Sequence, residues 1–181
     1  CPACGKFNTM VEEIITPAAP QKTETRKFAT GRAKPLSEIT YESYNRTSSG
    51  ISEFDNVLGG GIVAGSLVLL GGDPGIGKST LLTQTAAHLS NGHKVLYLSA
   101  EESCSQVKMR AKRLNLASDN LLILNETCVD GLETELDGVE FCIIDSIQAV
   151  YTEQLSSSAG SVGQVRECAA KLMRIAKSRN I

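Results

Sequence analysis

The apolar residues of this chain fall into two rhythms. Four short unbroken runs, Leu67 to Leu70, Val95 to Ser99, Leu121 to Leu124 and Val139 to Asp145, have the length and β-branched or leucine-rich character of buried strands. Between and after them, apolar positions recur three and four apart: Leu81, Leu82, Thr85, Ala86 and Leu89; then Val107, Ala111 and Leu114; then Val165, Ala169, Leu172 and Ala176. That spacing puts each set on one face of a helix, and Asn91-Gly92 supplies a stop for the first of them. Strands alternating with helices predict an α/β fold, a mainly parallel sheet flanked by helices. A shorter helix is expected near Ser52, capped by that residue, with Phe54, Val57 and Leu58 on one face. The triple glycine Gly59-Gly60-Gly61 then turns the chain toward the run at Leu67, with Gly65 as the last bend. Residues 152–164 are small, polar and glycine-rich and read as a mobile loop.

Upstream of residue 47 the pattern lapses. Residues 16–46, with Pro17, Pro20 and Pro35 among Thr, Lys and Ala, read as an extended linker whose Lys22, Arg26, Lys27, Arg32 and Lys34 are solvated charge. Residues 1–15 open on Cys1-Pro2-Ala3-Cys4-Gly5, a tight turn that points two thiolates at one metal. Tetrahedral zinc needs four ligands, and Cys104, Cys128, Cys142 and Cys168 are scattered. The motif therefore reads as half of a zinc knuckle. A redox CxxC is the rival, but it belongs at the head of a helix in a thioredoxin-like unit, a pattern not found here. The organisation expected is a partial knuckle over 1–15, a linker over 16–46 and an α/β core over 47–181. The chain starts on Cys1 and stops at Ile181 in what looks like the start of a further strand, so it reads as a fragment of a longer polypeptide with an incomplete core.

Composition narrows the picture in three ways. Aromatics make up 4% of the 181 residues and Trp is absent, so the core must be aliphatic. No apolar run approaches the roughly 18 residues of a membrane span. The net charge of −2 is uneven, with seven Lys/Arg against five Asp/Glu in residues 1–50 and eleven against fifteen beyond, and it sets up no global basic field. Six cysteines read as thiols in a reducing, cytoplasmic setting rather than as a disulfide framework.

The strongest chemistry lies where the first strand-like run meets the first helix. Gly72-Asp73-Pro74-Gly75-Ile76-Gly77-Lys78-Ser79 fits G-x-x-x-x-G-K-[ST], the phosphate-binding P-loop, in the strand–loop–helix setting it requires, and Thr80 follows. Its glycines let successive N–H groups converge on phosphate oxygens, and the positive end of the helix faces the same point. Lys78 is placed to reach the β- and γ-phosphates of ATP and the Ser79 hydroxyl to ligate Mg²⁺. Phe141 to Ser146 has the form of a Walker B strand, 67 residues beyond Lys78, with Asp145 emerging at its end to hold Mg²⁺ through water. Hydrolysis also needs a carboxylate for the attacking water. Glu101, taken to sit at the tip of the strand beside the P-loop strand, is the first candidate and Glu102 its rival; Gln148 is a further candidate for sensing the γ-phosphate. In parallel sheets such groups gather at the carboxyl ends of strands. His88 and His93 have no partner at ligand spacing and read as surface residues, while Cys104 and Cys142 read as small apolar fillers.

Taken together, Cys1-Pro2-Ala3-Cys4-Gly5, Gly50 to Gly61, Gly71 to Thr80, Leu98-Ser99-Ala100-Glu101-Glu102-Ser103 and Gly160 to Glu167 occur in an order that closely resembles the bacterial RadA/Sms family of RecA-like DNA-repair ATPases. The resemblance covers essentially the whole chain. It implies a four-cysteine zinc finger, of which Cys1 and Cys4 are the second half, followed by a RecA-like core. It implies Lys78 as the Walker A lysine, Asp145 as the Walker B acid and Glu101 as the catalytic glutamate. It further implies hydrolysis of ATP with Mg²⁺, binding of single-stranded and branched DNA, branch migration, a recombinase partner of the RecA type, and a homo-oligomeric, often hexameric, ring. The loop near residues 155–164 would face DNA, with Ser161, Gln164 and Arg166 as its contacts. The family's first CxxC, its Lys-Asn-Arg-Phe-Gly motif and its Lon-protease-like domain are not in this sequence. An ATPase of the same core acting on protein partners shares the P-loop and the triple glycine but does not predict the CxxC. A nucleotide-gated binding module would have no need of Glu101.

Overall fold

A computed structural model describes residues 34–38, 45–116 and 118–181. The chain divides into two units, Cys1–Tyr41 and Glu42–Ile181. Of the first, the described part is a 3₁₀ turn at Leu36–Glu38. Cys1, Cys4 and most of the linker lie outside the described residues, and so does the expectation of a zinc half-site.

The second unit runs β1 (Arg46–Thr47), α1 (Ser52–Val57), β2 (Ile62–Val63), α2 (Lys78–Leu89), β3 (Val95–Ser99), α3 (Cys104–Arg113), β4 (Leu121–Leu124), β5 (Phe141–Asp145) and α4 (Val162–Arg179). A parallel three-stranded sheet in the order β4-β3-β5 forms its centre, and β1 and β2 make a separate antiparallel pair. All five residues of β3 are buried, as a central strand covered on both faces must be. Its alternation divides the core. Val95 and Tyr97 pack with Ala86 and Leu89 of α2 on one face. Leu96 and Leu98 pack with Cys168, Leu172 and Ile175 of α4, and with Val129, Leu132, Leu136, Val139 and Val150, on the other. The α/β reading of the sequence is thus correct, and the core is aliphatic apart from Tyr97.

Four local expectations shift. The run Leu67 to Leu70 forms no strand, and Leu67, Val68 and Leu69 are exposed. An apolar run becomes a strand only when a neighbouring edge takes its backbone hydrogen bonds, and no strand among the described residues pairs with it. Glu101 therefore does not sit at the tip of a strand beside a P-loop strand: β3 pairs with β4 and β5. Ile51, not Ser52, is the N-cap of α1, and Val57 is exposed; the Asp55 carboxylate holds this turn instead, accepting from Ser48 Oγ at 2.6 Å and the Ser49 N–H at 2.8 Å. The buried face of α4 is Gln164, Cys168, Leu172, Ile175 and Ala176, with Val165 and Ala169 only half-buried.

Glycine is required where the lead-in meets α2. Gly50 has φ +81°, and a Cβ there would stand 2.3 Å from Cγ of His88. No helix among the described residues is long and apolar enough to cross a membrane.

Candidate nucleotide site

The P-loop folds as its glycines require. Gly77 is the N-cap of α2 with φ +105°, a left-handed conformation that a side chain would strain, and Gly75 has φ +80°. Lys78, the first residue of α2, curls back so that its Nζ donates to the Gly72 carbonyl at 2.7 Å and the Asp73 carbonyl at 2.9 Å. An ammonium at the mouth of a glycine loop, held among the described residues by backbone carbonyls, suits an anion that displaces them. Residues Gly71 to Gly77 are all exposed, so the loop is open on its phosphate side. Ser79 follows Lys78 in the first turn, and its carbonyl accepts from Thr83 Oγ1 at 2.7 Å.

Asp145 closes β5. Tyr97, buried in the neighbouring β3, donates its hydroxyl to Asp145 Oδ2 at 2.6 Å. Burial and the Asp145 carboxylate together push the Tyr97 hydroxyl well above its ordinary range. Asp145 Oδ1 takes no protein donor among the described residues, which leaves one carboxylate oxygen for a metal-bound water. A serine hydroxyl and a carboxylate oxygen are oxygen donors of the kind Mg²⁺ takes beside its retained waters.

The two rival glutamates separate clearly. Glu102 forms an ion pair with Arg110 of α3, whose guanidinium also reaches Thr83 Oγ1 at 3.5 Å. Glu101 is exposed and accepts from Ser146 Oγ, the residue directly after Asp145. The tips of β3 and β5 are thereby tied together at the carboxyl end of the sheet, Ala100 N also donating to the Asp145 carbonyl at 2.8 Å. A recess of about 350 Å³ lies alongside, lined by Thr80, Glu102, Gln106, Met109, Arg110, Arg113 and Leu114. Gln148 is exposed in the turn after β5.

The remaining sequence candidates are more dispersed. Ser161 is the N-cap of α4, accepting from the Gln164 N–H, and Arg166 is exposed on the same helix. Gln164, expected to face DNA, is fully buried, and its side-chain amide is spent on backbone groups of the preceding loop. The cysteine and histidine readings hold in part. Cys142 is packed against the core, and burial pushes its thiol up to about 12. Cys104, by contrast, is exposed at the start of α3. His88 is exposed, whereas His93 is half-buried, hydrogen-bonded to Glu140 at 2.9 Å and edge-on to Phe141. Among the described residues no group of three or more His, Cys, Asp or Glu is placed to hold a metal.

Sequence reasoning missed Tyr97, Arg110 and Ser146. Tyr97 did leave a signal, being the one polar-tipped aromatic in an otherwise aliphatic buried strand, and such a hydroxyl needs a partner.

A parallel sheet with a glycine loop leading into α2 and acidic residues at the ends of β3 and β5 defines a P-loop protein of the RecA-like α/β class. A family model described as AAA domain matches residues 33–181, and the chain belongs to that family. The chain is similar over its whole length to three proteins named DNA repair protein RadA. It is 47% identical to that of Listeria monocytogenes, covering 40% of that protein. It is 45% identical to that of Bacillus subtilis and 46% identical to that of Halalkalibacterium halodurans, covering 41% of each. The chain thus spans about two fifths of the length of these relatives.

Proposed function

We propose that this chain is the nucleotide-hydrolysing core of a DNA-repair ATPase that binds ATP at Gly72 to Thr80 and turns hydrolysis into work on single-stranded and branched DNA. The observation that carries the reading is the join between Glu101 and Ser146, which holds the exposed Glu101 carboxylate on the residue that follows Asp145 while Glu102 is occupied by Arg110. In this reading the phosphates replace the Gly72 and Asp73 carbonyls as partners of Lys78. Ser79 and Asp145 would hold Mg²⁺, which supplies positive charge to the phosphate oxygens when bound. Glu101 orients the attacking water and takes its proton. The recess lined by Thr80 offers the nucleoside apolar surface from Met109 and Leu114 and polar groups from Gln106, Arg110 and Arg113. The DNA assignment is supported by the similarity to proteins named for DNA repair, and by exposed Arg166 beside the loop that ends at Ser161. With aromatics at 4% of the chain, DNA contacts would fall on phosphates and show strong salt dependence. Branch migration, assembly into a ring and a recombinase partner belong to the same reading of the full-length protein.

The test is the hydrolysis rate of the full-length protein with and without single-stranded DNA, for wild type and Glu101→Gln. The expected result is stimulation by DNA and a loss in the variant of about 10²–10⁴-fold, with ATP binding retained. Hydrolysis that ignores DNA would point to a protein partner instead. Normal turnover in Glu101→Gln would remove that residue from the chemistry.

A further inference from the structure

We propose that Gln164 is a positioning residue, a clamp that holds the loop 152–161 in one conformation, and that nucleic acid reads that conformation rather than Gln164 itself. The second half rests on the DNA reading above; the first half is a matter of geometry alone.

Gln164 lies in the first turn of α4 and has no exposed surface. Its Oε1 accepts from the Thr152 N–H at 2.9 Å. Its Nε2 donates to the carbonyls of Thr152 at 3.1 Å, Leu155 at 3.1 Å and Ser157 at 2.9 Å. One side chain, its two N–H hydrogens shared among three carbonyls, therefore reaches four backbone groups of a segment that forms neither helix nor strand. Buried backbone groups must be paired, so the loop keeps this shape only while the amide is there. The chemistry demands an amide. A carboxylate of the same size has acceptors only and would confront three carbonyls, and a methionine of similar length offers no donor.

The clamp does not act alone. Asp130 accepts from Thr152 Oγ1 at 2.7 Å, from the Glu153 N–H at 2.8 Å and from Lys171 of α4 at 2.7 Å. Ser161 Oγ, which caps α4, also bonds Ser157 Oγ at 3.1 Å. Residues 152–157 are thus held at both ends on the buried side, while Glu153 to Gly160 remain exposed on the other. The segment leads on from β5 through residues 146–151, so the clamped loop is continuous with the strand that ends in Asp145.

The experiment is amide hydrogen exchange on the full-length protein without nucleic acid, for wild type and Gln164→Met, together with the ratio of hydrolysis rates with and without single-stranded DNA. In the variant, protection of the Thr152 amide should fall about tenfold, the factor expected for one hydrogen bond of ordinary strength, while the Leu96 and Leu98 amides of β3 keep theirs. The DNA stimulation ratio should fall with it. Unchanged protection with lost stimulation would make Gln164 a direct contact and overturn the proposal. Lost protection with full stimulation would overturn it too, because the loop's shape would then be irrelevant to DNA. If wild type shows no stimulation, the DNA reading fails and the clamp is decided by exchange alone. Should Gln164→Met lose protection in β3 as well, Gln164→Glu replaces it. That variant keeps the acceptor but not the donors, so faster proteolytic cleavage between Glu153 and Gly160 is expected, and an uncut loop would overturn the clamp.

Discussion

Glu101 and Glu102 are neighbours with the same chemistry, and their surroundings give them different work. Arg110 neutralises Glu102 and links it to Thr83 on α2, so Glu102 braces two helices. Glu101 is exposed and, among the described residues, takes a serine hydroxyl. Glu102→Gln should therefore lower the urea midpoint while hydrolysis persists, whereas Glu101→Gln should abolish hydrolysis and leave the midpoint near wild type; unfolding curves and turnover measured on both variants check the pair. Tyr97→Phe gives a third residue-level expectation. It strips Asp145 Oδ2 of its donor at the end of a half-buried strand, and the lost charge-assisted bond should cost about 1–3 kcal/mol in urea unfolding. What the sequence disclosed at this scale was placement fixed by residue type and short spacing: the glycine turn that leads into α2 at Lys78, and Asp145 at the end of an apolar strand. It could not disclose Gln164. A glutamine in a polar stretch looks solvent-facing, and its burial depends on a loop folding back twelve residues to Thr152.

Elements that stabilise themselves locally were easier to foresee than those that need a partner. α2 and α3 follow from apolar spacing, and α3 closes its N-terminus with a capping box between Ser103 and Gln106. Leu67 to Leu70 has the same intrinsic tendency as β4, yet β4 is hydrogen-bonded to β3 and the run pairs with no strand among the described residues. The phase of α4 differs from the apolar pattern because its buried stripe begins at a polar residue, Gln164, which a hydrophobicity pattern discards. The junction of this helix with the loop carries a pH signature. The Lys171 ammonium first, then the Thr152 hydroxyl and the Glu153 N–H, hold the Asp130 carboxyl well below the ordinary carboxylate range. A carboxylate depressed in the folded state adds stability above its unfolded value of about 3.9 and loses it as pH falls toward the lower folded value. Asp130→Asn should accordingly show a lower urea midpoint than wild type at neutral pH, with the gap narrowing as the pH is taken below 4. A gap that stays constant with pH would mean the Asp130–Lys171 pair contributes nothing through charge.

At the scale of the whole second unit, the sheet is covered on both faces but not on all its edges. β3 is enclosed between β4 and β5 and buried along its length, while the outer edge of β5 pairs with no strand among the described residues. The apolar run with a strand's composition stands out of the core, with Leu67 45%, Val68 44% and Leu69 81% exposed and Ile76 at 71% further along the chain. An unpaired edge is a template for another chain, and a contiguous apolar patch adds a driving force of roughly 25 cal/mol for each Å² it hides. Together they predict that this 181-residue chain associates in solution as its concentration rises and binds a hydrophobic dye while folded. Leu69 is the most exposed member of the run and packs into neither core cluster, so Leu69→Lys should leave the unfolding free energy from urea titration within about 0.5 kcal/mol of wild type, the ordinary range for a surface change. The same substitution should reduce both dye fluorescence and the growth of light scattering with concentration. If scattering is unaffected by the charge at position 69 while the protein remains folded, association runs through some other surface, and the run at Leu67 to Leu70 is not what draws copies of the chain together.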